Sequence, residues 1–101
     1  MDWLATPMDP NRPHPPQPID PAVLLLGALA WVCADDARGN RLLDLTGLDA
    51  GELRARATDP AILAATGDFL CSHEPDLVAC AEALDCSPTD IVSATAKLTR
   101  G

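Results

Sequence analysis

The chain is predicted to be all-α: a compact bundle of five to six short helices behind a disordered, proline-rich N-terminal leader. Three observations predict it. Four times a polar residue directly precedes a proline that opens an apolar stretch: Asp20-Pro21, Asp59-Pro60, Glu74-Pro75 and Ser87-Pro88. Proline is disfavoured inside helices but suits the first helical position, where its missing N–H would be unpaired anyway. The residue before it is pushed out of helical geometry, which suits a cap. Apolar residues then recur at helical spacing, and no stretch alternates with period two for long enough to make a strand.

Residues 1–19 hold prolines at 7, 10, 13, 15, 16 and 18. No helix or central strand tolerates that density, so this leader is expected to be extended and mobile. Trp3 and Leu4 stand out within it as an apolar pair that docks either on its own domain or on another protein. They are the candidate partner-binding residues.

The helical domain is expected over residues 20–101. Its first helix runs from Asp20 to about Ala34 through PAVLLLGALAWVCA, 14 residues that read as a central helix buried on nearly all sides. Gly27, costly in a helix interior, predicts close approach of another helix there. The second helix covers about Ala37 to Thr46, anchored by Leu42, Leu43 and Leu45, and ends at a left-handed Gly47. Asp49 and Glu52 have the spacing of a capping box, which starts a short third helix to about Ala57. The fourth starts at Pro60 and carries Ile62, Leu63, Phe69 and Leu70. The fifth, Pro75 to about Leu84, is expected to bury Leu77, Val78, Ala81 and Leu84. The sixth starts at Pro88 behind a Ser87–Asp90 box and is expected to bury Ile91, Val92, Thr95 and Leu98.

Composition narrows the function classes. The hydrophobic fraction is 48%, yet much of it is alanine and only three residues are aromatic. Such a core is thin and would profit from association. The net charge of -8 argues against nonspecific nucleic-acid binding and against an anionic membrane surface. The charge is also uneven along the chain. Arg38, Arg41, Arg54 and Arg56 cluster, whereas Asp59 to Asp90 holds seven carboxylates and no Lys or Arg. The two stretches are expected to pack together and partly neutralise each other. The apolar run would span only about 21 Å as a helix, short of a bilayer core of roughly 30 Å. No secretory signal is recognisable, so cytoplasmic residence is expected.

Catalytic chemistry is missing. His14 lies in the leader, and His73 lies beside Glu74. Cys71 and His73, two residues apart at a helix end, diverge rather than form a nucleophile–base pair. A zinc set of Cys71, His73, Cys80 and Cys86 has the right ligand count but irregular spacing. The four cysteines, Cys33 included, are expected to be reduced thiols packed as small hydrophobes. No glycine-rich phosphate loop exists. Neither enzyme activity, a cofactor nor a metal is expected.

One segment offers an alternative. Over residues 77–98, LVACAEALDCSPTDIVSATAKL resembles a helix-turn-helix unit, with Ala81 at the helix contact and Ile91 holding the second helix. Asp85 stands where that family usually has glycine, and Ala94 where it has a larger apolar anchor. The reading face would offer Thr89, Ser93 and Lys97.

The segments RLLDLTGLDAGELRARATDPAIL and FLCSHEPDLVACAEALDCSP, behind an apolar helix ending in Trp31, are the basis of a further resemblance. Over roughly residues 22–99 the chain resembles a small family of alphaproteobacterial proteins known only as a domain of unknown function. The resemblance implies an all-helical bacterial cytoplasmic protein and carries no site residue with it. The expected function is therefore a non-enzymatic protein-interaction module, an adaptor or regulator, with an unidentified protein partner or self-association. A helix-turn-helix DNA-binding regulator is the alternative.

Overall fold

The computed structural model describes residues 20–100. The expected leader, with Trp3 and Leu4, lies outside the described residues. Six helices follow in order: α1 (Pro21–Cys33), α2 (Asp36–Thr46), α3 (Ala50–Ala55), α4 (Pro60–Cys71), α5 (Glu74–Ala83) and α6 (Pro88–Arg100). No strand occurs among the described residues.

The caps act largely as the sequence predicts. The carboxylates of Asp20 and Asp59 each accept from the backbone N–H of the residue after their proline, both at 2.9 Å. Asp49 and Glu52 complete a reciprocal box, as do Ser87 and Asp90. Gly47 closes α2 at φ 74 and donates its N–H to Leu43 O. The exception is Glu74, which does not cap. His73 is the N-cap residue of α5, Glu74 is already helical, and no side chain accepts from the first turn. The extra methylene of glutamate does not favour the short bond back to the backbone that aspartate makes.

The centre is made by α1, α4 and α6, with the broadest contact between α4 and α6. Leu25, Val32, Leu63, Leu70 and Ile91 are fully enclosed there. At the crossing of α4 and α6 sits Gly67. A Cβ placed on it would fall on Thr95 Oγ1 and come within 2.8 Å of Thr95 Cβ. The Thr95 hydroxyl meanwhile donates to Ile91 O at 2.8 Å, so it is satisfied inside its own helix. Glycine lets the two backbones approach, which alanine would prevent. Gly27 meets the Leu84 side chain at the end of α5, 3.4 Å from its virtual Cβ, rather than a neighbouring helix backbone.

Several burial expectations need correction. Instead of being enclosed on nearly all sides, α1 leaves Val23 64% and Leu26 40% exposed. Leu45, Val78 and Val92 also face solvent, while Cys80 and Ala94 are buried in their stead. The reason is geometric. Where helices approach closely, small residues occupy the contact and larger ones are displaced to its margins. Of the cysteines only Cys80 is buried; Cys33 and Cys71 are exposed at helix ends, and Cys86 is half-buried.

Candidate functional site

The open side of α1 forms one wall of a groove of about 610 Å³ shared with α2 and α3. Leu26, Leu29, Ala30 and Cys33 form that wall, Leu43 and Asn40 come from α2, and Leu53 and Arg54 from α3. α2 lies beside α1 at Gly39, where a Cβ would make ordinary van der Waals contact with Cys33 Cα at 3.6 Å. On the far side α3 is anchored by one buried residue, Leu53, and makes no broad interface with any other helix. The groove is apolar in the middle and charged at its rim, where Asp36 and Arg54 stand. Arg54 meets no carboxylate among the described residues.

The other three arginines of the cluster are engaged. Arg38 lies 3.6 Å over the Trp31 ring and donates from Nη2 to Trp31 O at 3.1 Å. It thereby places a cation at the carbonyl end of α1, where the helix dipole favours it. Arg41 pairs with Asp76 at 3.2 Å, linking α2 to α5, and Arg56 pairs with Asp59 at 3.3 Å. The basic and acidic stretches therefore do meet, at two points.

The residues considered for catalysis are occupied elsewhere. His73 Nδ1 lies 3.1 Å from Asp76 Oδ2 and so is directed along α5, away from Cys71. Burial pushes the Cys71 thiol up, with the neighbouring Thr95 hydroxyl opposing. Burial likewise raises Cys33, opposed by Arg54, and raises Cys86, reinforced by Asp90 and Asp85. Burial is also the main cause that lifts Cys80 to about 11. A nucleophilic cysteine needs its thiolate stabilised; all four thiols are shifted the opposite way. Among the described residues no group of three or more His, Cys, Asp or Glu side chains is placed to hold a metal ion. No helix among them is long and apolar enough to cross a membrane.

The alternative site is better formed than its sequence suggests. Between α5 and α6, Asp85 adopts φ 58, the left-handed geometry that glycine usually supplies. Cys86 N–H donates to Ala81 O at 2.9 Å and Asp85 N–H to Glu82 O at 3.2 Å, a complete Schellman ending. Ala94 is buried, so it holds α6 despite its size. Thr89, Ser93 and Lys97 are all exposed, spaced four apart on one face of α6, with Arg100 on the same face. The Asp90 carboxylate turns back to accept from Ser87 N–H.

Sequence reasoning missed the groove because it treated every apolar residue of α1 as core. The small residues of α3, which give it little to bury, are the signal that could have found it. No curated protein and no solved structure matches the chain. A family model does match, over residues 20–101, and the chain belongs to that family, described as Protein of unknown function (DUF3572).

Proposed function

We propose that this family member is a non-enzymatic interaction module of the bacterial, specifically alphaproteobacterial, cytoplasm, acting as an adaptor or regulator. Its working surface is the groove of α1, α2 and α3. The observation that carries the reading is Leu26, 40% exposed on the wall of an apolar groove that the fold leaves uncovered. Soluble domains rarely leave contiguous apolar surface open without a use for it. A short apolar segment flanked by a carboxylate suits it, since Arg54 waits at the rim.

The test is a paired capture from native extract with the full chain. Leu26→Asp should lose the bound protein, whereas Val78→Asp, an equally exposed valine on α5 away from the groove, should retain it. Equal retention by both variants would rule the groove out. A catalytic activity abolished by changing Cys71 or His73 would overturn the non-enzymatic reading itself.

A second reading rests on the left-handed turn at Asp85 and the polar face of α6: a DNA-binding regulator using Thr89, Ser93 and Lys97. Phosphate contacts make affinity fall steeply with salt. Binding with a steep inverse salt dependence, lost in Lys97→Glu, would support this alternative, and a flat response would eliminate it.

A further inference from the structure

We propose that the groove of α1, α2 and α3 is occupied in the resting protein by the chain's own Trp3–Leu4 pair, folded back from the N-terminal leader. The inference deepens the interaction reading and uses the same groove, but it names an occupant and makes the surface self-covered until a partner displaces it.

Four observations favour this occupant. The first is reach. The chain between Trp3 and Asp20 extends to roughly 50 Å at about 3.1 Å per residue. Asp20 caps the start of α1, and the groove's far wall at Cys33 lies about 20 Å away along that helix at 1.5 Å per residue. Enough length remains to reverse direction. The second is chemistry. The chain has three aromatic residues; Phe69 is buried and Trp31 lies beneath Arg38, so Trp3 is the aromatic for which the helical domain has no other use. The groove offers leucine and alanine walls and a volume within the range of about 300–1,000 Å³ that suits inserted groups. The third is charge. Asp2 directly precedes Trp3, and Arg54 stands at the rim without a carboxylate among the described residues. The fourth is tethering. A covalently attached segment competes at an effective concentration in the millimolar range, whereas a second copy must overcome the repulsion of two chains that each carry a net charge of -8.

Cys33 makes the proposal testable because it lines the groove and is exposed, while Cys71 is exposed on α4 outside it. Alkylation of the intact chain is followed by peptide mass mapping, comparing the native protein with a Trp3→Ala/Leu4→Ala double variant. Both changes lie outside the six described helices, and an unchanged circular dichroism spectrum is required of the variant. Cys33 should react about three- to tenfold faster in the variant, as displacement of a weak tethered segment gives; Cys71 should not change. In the native chain, nuclear Overhauser contacts should join the Trp3 indole to the Leu26 and Leu53 methyl groups. An unchanged Cys33 rate would overturn the proposal. Protection that fades on dilution would overturn it too, by assigning the docked segment to a second copy. The two readings fail separately. If Leu26→Asp loses its partner but Cys33 is indifferent to Trp3, the groove serves a partner and the leader does not cover it. If Cys33 is protected and Leu26→Asp keeps its partner, the groove is internal packing and the partner binds elsewhere.

Discussion

The two long sides of α1 are built from the same residue types and end in opposite states. Toward α4 and α6, Leu25, Ala28 and Val32 are sealed under other helices. Toward α2 and α3, Leu26 and Ala30 remain open on the groove wall. Hydrophobicity does not separate these sides; what packs against them does. On the sealed side a glycine at 67 brings two backbones together. On the open side a two-turn helix with one buried leucine stands off and leaves a groove. Stability should therefore reside on one side of α1 and function on the other.

The largest test of this division uses two neighbours in the sequence. Leu25 is fully buried and Leu26 is 40% exposed. Leu25→Ala should cost about 2–5 kcal/mol, the range for removing a buried leucine, in chemical denaturation of the intact chain. Leu26→Ala should stay within about 0.5 kcal/mol, as surface changes do. Comparable losses at both positions would mean that the open side is part of the core after all.

The next test concerns the contact that seals the closed side. Gly67→Ala would put a methyl group onto the stiff, β-branched Thr95 side chain and should cost about 1–3 kcal/mol through overpacking. Thr95→Ala should restore part of the loss in the double variant, because the two changes share one space. Gly27→Ala gives the contrasting result. Its new methyl would meet the flexible tip of Leu84 at 3.4 Å. The outcome there should lie between no change and a gain of about 1 kcal/mol from helix propensity. Equal effects at the two glycines would remove the reason for treating the α4–α6 crossing as special.

Most of the framework was legible in the sequence because it depends on local chemistry. Asp-Pro, the Asp49–Glu52 pair and the Ser87–Asp90 pair each determine a helix start within a few residues, with no knowledge of the rest of the chain. What was not legible depends on which helices meet and how closely. Gly67 reads as an isolated glycine until α6 is seen against it. Val78 and Val92 read as core because they are larger and more apolar than Cys80 and Ala94, yet close helix approach reserves the contacts for the smaller side chains. The site suffers from the same gap: an apolar helix gives no sign of which of its faces will be left uncovered. His73 is a smaller case, since its pairing with Asp76 rather than Cys71 follows from the direction α5 takes after the turn.

The smallest effect is expected where the two sides are joined, at the step from α3 into α4. Arg56, at the end of α3, pairs with Asp59, which caps α4. The Ala61 N–H, followed by the Arg56 guanidinium, holds the Asp59 carboxyl below the usual carboxylate range. A carboxylate with a lowered folded pKa adds stability at pH above its unfolded value, near 3.9, and loses it as the pH falls through the folded value. Asp59→Asn keeps an oxygen for the Ala61 N–H but removes the charge that Arg56 meets. Native and variant should therefore differ slightly in melting temperature at neutral pH and converge in acid, once the native carboxylate is protonated. A difference that persists undiminished below pH of about 3 would mean that the charge is not what joins the loosely held α3 to the sealed side; the Asp59 cap, the backbone bond from Asp59 N–H to Arg56 O and the buried Leu53 would then make the connection.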